Sequence, residues 1–115
     1  MQAKNTLYAK TKNYLRSLGY SLVEKTETWN SFAYKHNDLF GFVDFLAVSP
    51  EHGTLALQVT SFPNRSARKK KILENKEVVE VLLQAGWRIA VLSWKKKGRS
   101  WTPDLLEITY EMLSE

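Results

Sequence analysis

Two hydrophobic periods alternate along this chain, and their alternation gives the order of its elements. Leu7, Tyr8, Thr11, Tyr14, Leu15 and Leu18 recur at helical spacing and make one packing face, leaving Lys4, Lys10, Lys12 and Arg16 to solvent. Asn5 or Thr6 is placed to cap this helix and Gly19 to end it. A first strand over 21–29 buries Leu22 and Val23, and a polar connection with Phe32 and Tyr34 runs over 30–37. Two central strands follow, joined by a turn at SPEHG, 49–53. In the first, Phe40, Phe42, Asp44, Leu46 and Val48 share a face. In the second, over 54–60, Leu55, Leu57 and Val59 lie on one side and Ala56, Gln58 and Thr60 on the other. A loop at SFPN, 61–64, leads into a helix that bends or breaks near Asn75 and stops at Gly86. Residues 87–94 read as a strand, Pro103 and Asp104 as a turn, 106–109 as a short last strand, and the tail as a helical turn.

The order is therefore α-β-β-β-α-β-β, within a single domain over 1–115. A helix between the Gln58 strand and the following one is a crossover, which normally joins parallel strands. The expected class is α/β, bordering on α+β, with a central mixed sheet flanked by helices.

Against that pattern, Asp44 stands out. A carboxylate within an apolar strand is expensive to bury unless it is paired or bound to a metal. Gln58 and Thr60 share a face at the end of the neighbouring strand, so the three make a compact oxygen-rich group. Read from the residues alone, Asp44 has a second reading as a buried partner of a Lys or Arg, and Gln58 and Thr60 read first as a sheet edge meeting water. Glu27 and Asp38, taken singly, read as surface groups. His36 and His52 lie in polar loop contexts and read as solvated.

Charge changes the picture further. The chain carries a net charge of +5, which favours polyanionic partners. The cations cluster as Arg65, Arg68, Lys69, Lys70 and Lys71, and again as Lys95, Lys96, Lys97 and Arg99. Both clusters follow the central strands, and phosphate contacts from them would give affinity without base specificity. Trp29, Trp94 and Trp101 offer surfaces for stacking on bases, although an aromatic beside a strand more often packs. With no cysteine, disulfides and thiolate chemistry are excluded. No apolar run reaches the length of a membrane span and the N-terminus lacks a signal-peptide core, so a cytoplasmic protein without a membrane partner is expected.

The segments DLFGFVD at 38–44, LQVTS at 57–61 and SARKKK at 66–71, with ETWN at 27–30 and the strand from GWR at 86–88 to SWK at 93–95, carry a resemblance. Together they resemble the PD-(D/E)XK nuclease superfamily, and more narrowly archaeal Holliday junction resolvases and small phage or bacterial nuclease-like proteins. The resemblance implies a restriction-endonuclease-like αβββαβ core and metal-dependent endonuclease activity on DNA, in branched or otherwise structured form. It implies Mg2+ or Mn2+ as cofactor, no small-molecule cofactor, and a homodimer. By position, Asp44 matches the central metal-binding aspartate, Gln58 the second acidic position, and the Val59 carbonyl a further ligand. Glu27 or Asp38 would complete the set. Thr60 stands where the superfamily usually has Lys. Either Arg68 or Lys71 supplies the missing charge, or the site is a weak or inactive one in a module that binds nucleic acid.

Overall fold

The protein is described by a computed structural model covering residues 3–114. Helix α1 (Ala3–Ser17) precedes β1 (Leu22–Lys25), a small hairpin of β2 (Thr28–Asn30) and β3 (Lys35–Asn37), then β4 (Phe45–Ser49) and β5 (Gly53–Ser61). A 3-10 turn (Phe62–Asn64) opens α2 (Arg65–Glu74), which is followed by α3 (Lys76–Gln84), β6 (Arg88–Lys97), β7 (Ser100–Ile108) and a closing 3-10 turn (Tyr110–Ser114). Five strands form one mixed sheet in the order β1-β4-β5-β6-β7. Only β5 and β6 pair in parallel, and they are the two strands that α2 and α3 connect. The α/β expectation, with helices on a mixed sheet, holds.

Strand alternation divides the core into two layers. Leu55 and Leu57 of β5, with Ala90, Leu92 and Trp94 of β6, pack toward Leu15 of α1. Ala56, Ile89 and Val91 face the other way, against Ile72 of α2 and Val79 and Leu82 of α3. Of the packing face expected on α1, Leu15 and Thr11 are buried while Leu18, just past the last helical residue, is 40 % exposed. The helix already runs from Ala3, so Asn5 and Thr6 lie within its first turn and do not cap it.

Three boundaries differ from the sequence reading. The strand expected over 21–29 ends at Lys25, because the chain leaves the sheet and starts the β2–β3 hairpin, where Trp29 pairs with His36. The turn of that hairpin is made by Asn30, whose Oδ1 accepts the N–H groups of Phe32 and Ala33 at 3.0 and 3.1 Å. The strand expected to begin near Phe40 begins at Phe45. Phe40 (φ 56°) and Gly41 (φ 87°) both adopt left-handed backbone, which folds the chain so that Leu39 bridges Val43 and leaves Phe40 47 % exposed. Finally, β7 starts at Ser100 and runs straight through Pro103. At the edge of the sheet a missing N–H is tolerated, so Pro103 makes no turn there. The break at Asn75 and the helical tail are as expected.

Candidate functional site

Asp44 sits one residue before β4, at the end of the β4–β5 hairpin away from its turn. Its N–H donates to the carbonyl of Leu57, the residue that Phe45 already faces, at 2.7 Å, so Asp44 is an extra residue at the end of the ladder. Its Oδ2 accepts the Val59 N–H at 2.8 Å. A residue in an extended strand points its N–H and C=O to the same edge, so the Val59 carbonyl also leaves β5 on this side. Asp44 is 6 % and Gln58 4 % exposed.

Two further carboxylates close on Asp44. Glu27 arrives on the segment between β1 and β2, and Asp38 on the segment leaving β3. One oxygen from each of Glu27, Asp38 and Asp44 can be chosen so that all three lie within 4.8 Å of one another. The sequence left Glu27 and Asp38 as alternatives; both are present. Lys71 Nζ approaches Asp38 Oδ2 at 3.9 Å, a charge contact rather than a hydrogen bond. Helix α2 therefore does bring one cation of its basic run over the acidic group.

This packing of like charges in a buried place is costly, and the pKa of Asp44 reflects it. Burial, and then the charge and hydrogen bond of Asp38 and the charge of Glu27, push it up to about 7 against the opposing Val59 hydrogen bond. Gln58 adds to the cost. Its Oε1 is buried without a hydrogen-bond partner among the described residues, as is Ser93 Oγ on the neighbouring strand. Each such group costs about 1–3 kcal/mol in a folded protein. Gln58 precedes Val59, whose N–H holds Asp44, so the buried amide lies on the strand segment that meets the carboxylates.

Two side chains take part that the sequence reading left out. Tyr8 of α1 packs edge-on against Phe45 at 5.3 Å between centroids, and its hydroxyl donates to Glu27 Oε1 at 3.3 Å. Burial first, then Glu27, raises the Tyr8 pKa well above the usual phenol range, so the hydroxyl stays a donor. His36 is not a free loop histidine: its Nδ1 lies 2.7 Å from Glu27 Oε1 and its ring stands against Trp29. The available signal for Tyr8 was that a buried Tyr hydroxyl needs a partner. For His36 it was the turn-forming Asn30, which sets the pairing of Trp29 with His36. His52, the other histidine, stacks on Tyr20 away from this group.

The remaining predicted residues are dispersed. Thr60 is 7 % exposed and pairs in register with Ser93. Arg68 is half-buried on α2 and makes no ion pair among the described residues. Arg65 is taken up by Asp104 at 2.9 Å, and Lys69 and Lys70 line a separate shallow groove with Glu74. Lys95, Lys96, Lys97 and Arg99 are exposed on the β6–β7 hairpin. Trp94 is packing, 5 % exposed with its indole N–H donating to Thr11 at 3.2 Å, whereas Trp29 and Trp101 are 56 % and 41 % exposed.

No protein-family model, curated protein or solved structure matches this chain. A functional reading therefore rests on the site itself.

Proposed function

We propose that the protein is a metal-dependent endonuclease that hydrolyses phosphodiester bonds in branched or otherwise structured DNA. One observation carries the reading: three carboxylates from separate segments converge within 4.8 Å, where β5 also holds a buried amide oxygen with no partner among the described residues. Such an arrangement is unfavourable to the fold unless something positive is shared among its oxygens.

The donor set fits Mg2+ or Mn2+. It is all oxygen and hard, with three carboxylates, the Gln58 Oε1 and the Val59 carbonyl at one strand end. When bound, such an ion activates water and stabilises charge on the scissile phosphate. The chain's own part is positional. Val59 N–H fixes the rotamer of Asp44. Tyr8 and His36 both hold Glu27 at its Oε1. Lys71 stands beside Asp38 and offers the scissile phosphate the positive charge that Thr60 cannot, which is why Lys71 takes the role in preference to Arg68. Cations of 65–71 and 95–99 supply affinity for the backbone without reading sequence. A homodimer is part of this reading, since one 115-residue subunit has little surface for a junction.

Thr60 also favours a second reading, a nuclease-fold module that binds DNA without cutting it. Nicking assays on junction, duplex and single-stranded DNA with Mg2+ and Mn2+ decide between the two, with gel shifts on the same preparation. Cleavage by the wild type and none by Asp44→Ala, at equal or higher affinity, supports the enzyme. Binding without cleavage in any form supports the module. With roughly four to six phosphate contacts, log affinity for duplex falls against log salt with a slope of about −3.6 to −5.4; a flat response would point to a protein partner.

A further inference from the structure

Beyond the acidic site, where β5 ends, the chain builds a second surface that this site does not use. Ser61 closes the strand about 10 Å beyond Gln58, at roughly 3.3 Å per residue, and Phe62 and Pro63 follow at once. With Trp94, Trp101, Lys95 and Lys96 they line a depression of about 390 Å3. Its lining is both aromatic and cationic. Lys10 Nζ stands 4.0 Å and Lys96 Nζ 5.7 Å from the centroid of the Trp101 ring. Lys95 Nζ and the Arg65 guanidinium stand 4.9 and 4.5 Å from that of Phe62. The nearby carboxylate, Asp104, is already held by Arg65.

We propose that this depression binds an unpaired base of a single-stranded DNA segment, stacked on Trp101 or Phe62, with Lys10, Lys95 and Lys96 on its flanking phosphates. The inference rests on the DNA-binding part of the reading above, not on cleavage. Packing alone explains Trp94, which is buried, but not Trp101, which leaves 41 % of its surface in water at a site lined with two lysines, with a third, Lys10, over its ring. An exposed cation over a ring contributes about 0.5–1 kcal/mol, whereas a base stacked on an aromatic contributes about 1–3 kcal/mol. The base therefore displaces the ammonium from the ring. The displaced ammonium remains within reach of the phosphate that arrives with the base. A continuous duplex offers no free base face, so the platform selects DNA with a frayed or unpaired stretch. That names the structured feature which the proposed nuclease would recognise.

The test is a fluorescence titration of the full chain, in EDTA so that cleavage plays no part. The probes are a 12-nucleotide oligo-dT and a 12-base-pair duplex at fixed salt. The expected result is tryptophan quenching by oligo-dT. Trp101→Ala and Phe62→Ala should each weaken oligo-dT binding about 5- to 100-fold and duplex binding less than about 2-fold. Trp101→Phe should keep oligo-dT affinity within about 3-fold while losing most of the quenching, because it retains a stacking ring. Equal losses on the two probes, or Trp101→Phe as weak as Trp101→Ala, would overturn the platform. So would self-association that Trp101→Ala abolishes in sedimentation, with no oligo-dT binding by the wild type. A protein that stacks oligo-dT but never cleaves with Mg2+ or Mn2+ keeps this inference and loses the nuclease; one that cleaves with its affinities unmoved by Trp101→Ala does the reverse.

Discussion

The two ends of the β4–β5 hairpin are built from the same strands and obey opposite rules. At the turn end Ser49 pairs with Gly53, and the Ser49 Oγ accepts the His52 N–H at 2.9 Å. Its buried polar group has a partner, and the Gly53 φ of 70° suits a tight reversal. At the open end, Asp44 has two more carboxylates close by, and the Gln58 amide oxygen, one residue before Val59, is unpaired among the described residues. One end is arranged for stability; the other gives stability up. Such a local departure in an otherwise consistent fold is where a functional site is expected.

The sharpest way to break this comparison is to remove Asp44. Asp44→Ala should cost more than the roughly 100-fold typical of losing a group that only orients a metal ligand, with DNA affinity unchanged or higher. Cleavage within tenfold of wild type would show that the open end is not the reactive one. Lys71→Ala should lower turnover about tenfold or more while changing DNA affinity less than Lys69→Ala or Lys70→Ala does. Equal effects at the three positions in paired turnover and binding assays would mean that only bulk charge matters.

Stability should respond in the opposite sense. The folded pKa of Asp44, about 7, lies above its ordinary value of 3.8, so the metal-free folded state holds a proton that the unfolded chain has released. Its contribution is therefore fully present below about pH 4 and is lost as pH rises to about 7. Asp44→Asn should remove that part of the pH dependence and raise the metal-free Tm at pH 8 by several degrees, at about 4 °C per kcal/mol. Added Mg2+ should raise the wild-type Tm and leave the Asn variant unmoved. A Tm that falls in Asp44→Asn, by calorimetry over pH 4–8, would mean the open end is not strained. The smallest effect belongs to the turn end. Ser49→Ala should lower stability by about 1 kcal/mol in urea titration and leave cleavage as it was; a loss of cleavage at unchanged stability would join the two ends functionally.

How far the sequence could be read depended on whether a feature was local. The alternation of 54–60 placed that strand and its two faces, because period 2 is written in consecutive residues, and the apolar run of 87–94 placed its neighbour. Asp44 and Gln58 were legible for the same reason, as polar residues interrupting that pattern. Tyr8 and His36 were not, and Glu27 could be named only as an alternative to Asp38, since what brings His36 to Glu27 is a hairpin whose turn relies on the Asn30 side chain and not on Gly or Pro. Phe40 misled because its alternation fits a strand, while its backbone follows the tight reversal with Gly41. Pro103 misled in the other direction: its effect depends on lying at a sheet edge, and edge position is a property of topology.

The β6–β7 hairpin outruns the sheet, since β5 pairs with β6 only as far as Trp94 while β7 continues with it to Lys97. The reversal between Lys97 and Ser100 takes two residues, Gly98 and Arg99, with Gly98 at φ 63°. Nothing in the core fixes the length of this overhang, but its parity is fixed. Removing one residue pair from both strands would shorten the ribbon and keep every side chain on its own face. Removing a single residue between Gly98 and Trp101 would turn Trp101 from one face of the ribbon to the other. The projection is thus free to vary in length over evolutionary time, provided that it does so in matched pairs of residues.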